Sequence, residues 1–280
     1  MNNKINFLFV VLLMYFSTNN ILSQTMFLQN MPTDKVQFGF RFLHPSIKNL
    51  NDQAALAGVY QFSVNIPLGS NINLIAEAPF MHYEVGYDNR YSNSTRQETG
   101  LGNIFLGFQT RGANQAESAS SMTFGLFIPS AEENVARYGL FTNYYEHMKY
   151  YQNSMGLYYN YAYHKKYENN LKLGFETGPN IFIPTSGNED GIELILHYIL
   201  TAGYSIDKFS VNTEFLGTAF MTGDFNNFSD RLLHSIAFGV AWKEETVTPQ
   251  LFYMFYLKDG MRDVVNAVLG IKVTVSLERG

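Results

Sequence analysis

Hydrophobic and polar residues alternate along most of the chain after residue 35. In the segment LKLGFETGPN, residues 171–180, Leu173 and Phe175 belong to an apolar set, whereas Lys172 and Glu176 belong to a polar one. A period of two places these sets on opposite faces of a β-strand. The apolar face meets a protein core in a sandwich, but it meets lipid in a transmembrane barrel.

The alternation predicts an all-β chain of about twelve strands. Most are close to the roughly nine to eleven residues that a tilted strand needs to cross a bilayer. Their predicted cores are Val36–Phe42, Val59–Ile66, Asn73–Tyr83, Asn103–Thr110, Ser121–Ile128, Met155–Tyr163, Leu171–Asn180, Glu193–Tyr204, Ser210–Phe220, Leu232–Trp242, Gln250–Lys258 and Val268–Leu277.

Connections between these strands alternate in length. Those after even-numbered strands are short, as in PLGSN and SIDKF, whereas most others are long and polar, as in GYDNRYSNSTRQETGLG. The longest, PSAEENVARYGLFTNYYEHMKYYQNS, is predicted to hold a helical turn over an outer rim. This parity is typical of outer-membrane barrels, which have tight periplasmic turns and extended outer loops.

We therefore predict a single transmembrane antiparallel up-and-down β-barrel in the bacterial outer membrane. In that fold Leu171, Leu173 and Phe175 face lipid, while Lys172 and Glu176 face the lumen. A soluble two-sheet sandwich, whose strands are usually shorter, is the alternative.

The first residues have the pattern of a secretory signal peptide. Lys4 precedes an apolar run, Phe7–Phe16, and a polar stretch then ends at Ser23. The run is too short to cross a membrane as a helix. We predict a signal peptide over residues 1–23 and a barrel domain over residues 24–280, with a buried N-terminal helix as the alternative.

Composition narrows the classes of partner. The sequence contains no cysteine, which excludes a disulfide scaffold and a thiolate metal site. Without Lys4, the 19 basic side chains become 18 against 24 acidic ones, and a net charge near −6 argues against a nucleic-acid partner. Aromatic residues make up 16% of the chain, which suits a barrel in outer-membrane lipid.

Three segments resemble a known outer-membrane family. NINLIAEAPFMHYE (71–84), GLGNIFLGFQ (100–109) and MTFGLFIPSAEEN (122–134) are similar to the third to fifth strands of the transporter-like family named for the meta-pathway of phenol degradation. The resemblance implies a twelve-stranded barrel associated with small, often aromatic or apolar, solutes. The Asn-rich composition and a mature start at Gln24 are similar to secreted proteins of the Bacteroidota.

Two features differ from related barrels. Those barrels end on an aromatic residue that the barrel-assembly machinery reads, whereas this sequence ends in Leu277–Gly280. Related fatty-acid transporters carry an N-terminal plug, but few residues separate Gln24 from Val36. We expect the assembly machinery as a partner and no inserted plug of that type.

No residue pattern indicates catalysis. GLGNIFLG lacks the third glycine of a dinucleotide-binding turn and leads into a strand. His44 and Ser46 have the spacing of an outer-membrane phospholipase pair, but Pro45 lies between them and no oriented partner is present. Acidic residues of two outer loops, including Glu189 and Asp224, are interpreted as solvated charge and not as a calcium site. We predict no enzyme, no cofactor and no metal.

The candidate functional residues are charged side chains on the polar face of the strands. They are predicted to line the lumen and its solute path: Arg41, Glu77, Lys172, Glu176, His197, Glu214 and Lys272. Arg41 and Lys272 come from the strands that meet where the barrel closes, and the others lie elsewhere on the wall. Separated basic and acidic groups would orient dipolar solutes and tune ion preference.

These features predict a passive outer-membrane channel for small solutes. Barrels of about eight strands are filled by side chains and those of about sixteen hold an aqueous channel, so a lumen of twelve strands is open, gated or plugged. The alternative is a non-transporting barrel with a plugged lumen that acts through its outer loops. An envelope lipid hydrolase is a third, weaker hypothesis.

Overall fold

The computed structural model describes residues 26–27, 32–48, 54–89, 92–115, 117–185, 191–223 and 227–278. The predicted signal peptide, residues 1–23, lies outside the described residues, as do Glu189 and Asp224. Within the described ranges, no helix is both long and apolar enough to cross a membrane.

Thirteen strands are present in the described ranges. They are β1 Val36–Ile47, β2 Gly58–Pro67, β3 Ile72–Asn89, β4 Ser92–Leu101, β5 Ile104–Gln115, β6 Ser118–Ile128, β7 Ser154–Lys166, β8 Leu171–Pro184, β9 Glu193–Ile206, β10 Phe209–Phe220, β11 Leu232–Trp242, β12 Val247–Tyr256 and β13 Val265–Leu277. The helices are α1 Glu133–Thr142, α2 Asp259–Arg262 and the 3₁₀ helices Tyr144–Lys149 and Phe228–Arg231.

These strands form one antiparallel sheet that closes on itself. Neighbours pair in chain order from β5 to β13, then β13 pairs with β1, and β1, β2 and β3 complete the ring. The strand β3 pairs with β5 along its N-terminal half and with β4 along its C-terminal half. The strands β4 and β5 therefore occupy one position in the wall. The wall therefore has twelve strand positions, which confirms the predicted barrel.

One polar segment predicted as an outer loop is instead mostly strand. GYDNRYSNSTRQETGLG, residues 86–102, covers the tip of a hairpin in which β3 runs to Asn89 and β4 returns from Ser92 to Leu101. The prediction was wrong because the hydrophobic alternation depends on one apolar face. A hairpin formed by polar residues is held by its backbone hydrogen bonds and lacks that signal.

Side chains alternate between the lumen and the outer surface as predicted. Leu173 and Phe175 are 40% and 38% exposed, whereas Lys172 and Glu176 on the same strand are buried. Exposed apolar side chains encircle the barrel, among them Phe38, Phe62, Phe108, Phe124, Leu200, Val240, Leu251 and Ile271. A belt of this extent is a lipid contact. A closed barrel satisfies its backbone hydrogen bonds within lipid, so the fold and the belt place the chain in the outer membrane.

Five short connections lie at one rim. They join β2 to β3, β5 to β6, β7 to β8, β9 to β10 and β11 to β12, and the start of β1 and the end of β13 lie at the same rim. Tight turns mark the periplasmic side of an outer-membrane barrel, so we assign this rim to the periplasm.

The longest connection departs from its predicted position. The inner loop, residues 129–153, contains α1 and the first 3₁₀ helix, which confirms the predicted helical turn. It folds into the barrel, however, and not over the outer rim, because Val135, Tyr145 and Tyr150 are buried. Its helix α1 contacts β1 to β4 and β13, and its 3₁₀ helix contacts β10. The inner loop therefore bridges opposite walls of the lumen.

Candidate functional site

A break in the wall anchors both ends of the inner loop. Asn103 lies between β4 and β5, and its buried Nδ2 donates to the carbonyls of Met148 at 2.8 Å and Tyr151 at 2.6 Å. Its Oδ1 accepts the backbone N–H groups of Ser130 at 3.0 Å and Ala131 at 2.9 Å. One side chain thus holds the beginning and the end of the loop.

Gly102 allows the backbone of the inner loop to approach this break. A Cβ atom at Gly102 would lie 2.3 Å from the carbonyl oxygen of Lys149. The next residue, Asn103, donates its backbone N–H to that same oxygen at 2.7 Å. A side chain at Gly102 would collide with this backbone contact. Gly102, the second glycine of GLGNIFLGF, therefore permits the inner loop to approach the wall closely.

Ion pairs join the inner loop to the wall. Glu146 pairs with Arg41 of β1 and accepts from Lys149 Nζ at 2.6 Å. Lys149 Nζ also lies 2.6 Å from Glu77 Oε2 of β3. Gln61 of β2 lies between the two wall residues, accepting from Arg41 Nε at 3.1 Å and donating to Glu77 Oε2 at 2.9 Å. We call these five residues the charge cluster.

The charge cluster is balanced. Arg41 and Lys149 are matched by Glu77 and Glu146, and an unpaired charge in such an enclosed place would cost several kcal/mol or more. Glu146 belongs to the inner loop. Burial alone would raise the pKa of its carboxyl group, but the positive charges of Arg41 and Lys149 outweigh burial and lower that pKa to about 2. Glu146 therefore stays ionised at neutral and mildly acidic pH.

The opposite wall presents a carboxylate beside stacked rings. His197 Nε2 lies 3.1 Å from Asn160 Oδ1 and 3.8 Å from Glu176 Oε1. The Tyr158 ring stacks on His197 with centroids 5.2 Å apart. Tyr145 of the inner loop donates its hydroxyl to Glu176 Oε1 at 3.5 Å. The inner loop thus contacts the second wall through an aromatic residue.

Two residues near the N-terminus also lie inside the barrel. Met26 and Phe27 are buried, and their backbone N–H groups donate to the two carboxylate oxygens of Glu214 at 2.8 and 2.9 Å. The Arg41 guanidinium lies over the Phe27 ring, 5.0 Å from its centroid. The expectation concerned a plug of the fatty-acid transporter type, and it stays a prediction. It did not anticipate that two residues near the N-terminus lie in the lumen.

All seven predicted lumen residues lie on the inner side of the wall. Arg41 and Lys272 are direct register partners on β1 and β13. Glu176, His197 and Glu214 belong to β8, β9 and β10, across the lumen from β1. Lys172 lies apart from these, near the periplasmic rim. Their part in a solute path stays a prediction.

The residues that the sequence did not reveal belong mainly to the inner loop. Glu146 and Lys149 place charges of both signs between the walls, so the basic and acidic groups are not simply separated. Asn103 and Met26 were missed because strand alternation carries no information about what fills the lumen. The segment YGLFTNYYEHMKYY was a usable signal, because a loop so rich in aromatic residues is unlike an exposed one.

A cavity of about 130 Å³ lies beside the inner loop. It is large enough for several water molecules or for one small ring. Its lining combines the charge cluster and Lys272 with the rings of Phe105, Phe127 and Tyr158. The described residues include no group of three or more His, Asp or Glu side chains placed to hold a metal ion.

Comparisons with known proteins identify the fold. No family model matches the chain, and no curated protein matches it either. Its structure is similar to the COG4313 outer membrane channel from Pseudomonas putida F1, with a TM-score of 0.62 and 11% identity over 91% of this chain and 100% of that one. The chain has the fold of an outer-membrane β-barrel. It is also similar to the NanC porin, with a TM-score of 0.55 and 9% identity over 86% of this chain and 100% of the porin.

Replacing Asn103 by Ala is expected to loosen the inner loop. Each buried group left without a partner costs roughly 1–3 kcal/mol, so the population of opened loops should rise about tenfold or more. Limited trypsin digestion of the folded barrel in detergent, followed as cleavage after Lys149, measures this population. Asn266→Ala is the control, because Asn266 is exposed on β13. Equal cleavage rates in the two variants would contradict the anchoring role.

Proposed function

We propose that the protein is a passive outer-membrane channel for small solutes and that the inner loop narrows its path. The observation that carries this proposal is the cavity between the charge cluster and the opposite wall, inside a closed barrel. The loop is held there by side-chain hydrogen bonds and ion pairs, which can break singly. The likeness in fold to an outer membrane channel and to a porin supports the same function.

We further propose that the solutes are small and amphipathic, with an aromatic or apolar part. Phe105 packs on Phe127 with centroids 4.9 Å apart and meets Tyr158 edge-on at 5.4 Å. These rings border the same cavity as Arg41 and Lys272. An apolar wall facing fixed charges suits a ring that carries a polar or anionic group. The resemblance of GLGNIFLGF to the phenol meta-pathway family supports this solute class.

We also propose how the chain reaches its membrane. Residues 1–23 serve as a signal peptide, and residues 24–280 form the barrel that the assembly machinery inserts. The positive start and the short apolar run support the first point, and the barrel supports the second. The three segments that resemble the phenol meta-pathway family and the Asn-rich composition support membership in that family and an origin in the Bacteroidota. The protein acts without catalysis or a cofactor, which the lack of motifs supports.

A second candidate function is a non-transporting barrel with a plugged lumen. The observation that favours it is the filling of the lumen by the inner loop and by Met26 and Phe27. A protein of this kind would act through its outer loops. The two functions differ in whether a solute crosses the barrel, and a flux measurement separates them.

Vesicles that contain the folded protein should admit small aromatic anions. Benzenesulfonate is a suitable probe because its permanent charge keeps it from crossing lipid unaided. We expect it to enter faster than into vesicles made with heat-denatured protein, and we expect the trisaccharide raffinose to be excluded. If benzenesulfonate and chloride both fail to enter through verified folded barrels, the channel proposal is wrong and the plugged barrel is correct.

Replacing Lys272 by Gln should shift ion selectivity towards cations, because it removes a positive charge from the cavity wall. Arg41 is left in place because it holds the inner loop. The measurement is the reversal potential in a potassium chloride gradient across a planar bilayer. Lys165→Gln removes the same charge from the outer face of β7, where Lys165 lies against the Tyr167 ring, and should leave the reversal potential unchanged. An unchanged value for Lys272→Gln would remove Lys272 from the path.

A further inference from the structure

A second group of basic side chains lies at the periplasmic mouth of the lumen. Lys172 is the second residue of β8 and is the register partner of Lys166 at the end of β7. Lys243 follows the last residue of β11, and its backbone N–H donates to the carbonyl of Lys208 at 2.7 Å. Lys172 and Lys243 come from separate parts of the wall, yet they are only 8% and 7% exposed.

The two buried amino groups contact each other. The side chains of Lys172 and Lys243 lie within hydrogen-bonding range. An ammonium group has three donors and no acceptor, so this contact cannot satisfy both residues while both are charged. Among the residues that the structure describes, no carboxylate lies within 4.0 Å of either Nζ. Lys149, by contrast, touches two carboxylates.

The buried imidazole of His164 lies on β7, further from the periplasmic rim than Lys172. His164 faces Gly174, two residues beyond Lys172 on β8. Its Nε2 is buried and has no hydrogen-bond partner within the described part of the chain. A Cβ atom at Gly174 would come within 3.0 Å of His164 Nδ1. The absence of a side chain at Gly174 therefore makes room for the His164 ring. Among the described residues, His164 therefore presents a ring nitrogen without a partner beside the start of β8, where Lys172 lies.

Two buried amino groups in contact are stable only if one loses a proton or if an anion joins them. Removing a charge from water is costly unless an opposite charge and hydrogen bonds replace the water. The buried acidic groups of the lumen contact other residues. Glu77 and Glu146 contact Lys149, Glu176 accepts from Tyr145, and Glu214 accepts from Met26 and Phe27. With no described carboxylate at the two lysines, the negative charge would come from a ligand in solution.

We propose that Lys172, Lys243 and His164 form a binding site for a small oxyanion, namely a phosphate or the carboxylate or sulfonate group of a solute. Its oxygens would accept hydrogen bonds from both ammonium groups, and the Nε2–H tautomer of His164 would donate a third. Binding itself requires no continuous path through the barrel. The further idea that anions bind at this site while they cross the barrel rests on the proposed channel function.

The test is direct binding of inorganic phosphate to the folded barrel in an uncharged detergent. Isothermal titration calorimetry at low and at physiological salt should show one saturable site. Lys172→Met/Lys243→Met should weaken phosphate binding at least about tenfold, because both charged donors are lost. His164→Leu should weaken it less, since it removes one donor.

Lys208→Met is the matched control. Lys208 lies at the same rim, but its Nζ pairs with Glu244 at 2.8 Å and it is more exposed. This variant should bind phosphate like the original protein.

If the double variant lacks the heat-sensitive gel mobility of a folded barrel, Lys243→Met alone is used, because Lys243 lies outside the strands. Absence of phosphate binding to the original protein, or equal loss in Lys208→Met, would overturn the site. Neither result bears on whether benzenesulfonate crosses the barrel, so the site and the channel are tested separately.

Discussion

The organisation of the lumen depends on the pairing of buried charges between the inner loop and the wall. Arg41 and Glu77 belong to different strands, and Glu146 and Lys149 of the loop complete an arrangement with equal numbers of positive and negative groups. Leaving any one of them unpaired in an enclosed space would cost several kcal/mol or more. This constraint fixes where the loop lies, and the position of the loop in turn shapes the cavity.

Two adjacent residues of the wall, Gly102 and Asn103, hold the inner loop in place. Asn103 interrupts a strand and uses all of its side-chain hydrogen-bonding positions on the two ends of the loop. Gly102 allows the loop backbone to come close. Such an arrangement combines a rigid barrel with an element held by a limited number of polar contacts. That combination suits a channel whose width is set by its loop, because local opening does not require the barrel to unfold.

The fold was predictable from the sequence because its signal is local. Residues such as Lys172 and Leu173 alternate with the period of a strand, and the apolar set must face lipid once the barrel closes. The seven lumen residues could be placed on the inner face by the same alternation. The hairpin tip near Asn89 and the location of Glu146 could not be predicted, since the first lacks an apolar face and the second depends on contacts between residues far apart in the chain. Met26 reaches Glu214 for the same nonlocal reason.

The most direct test of the loop's role is the single-channel conductance of a barrel in which residues 132–151 are replaced by a short Gly-Ser linker. Shortening the connection between β8 and β9 by a similar linker provides the control, and gel mobility verifies folding of both. If the inner loop limits the path, its removal should raise conductance at least about twofold, because a wider lumen passes more ions, and the control should match the original protein. Equal conductance with and without the inner loop would contradict the proposal that the loop narrows a path through the barrel.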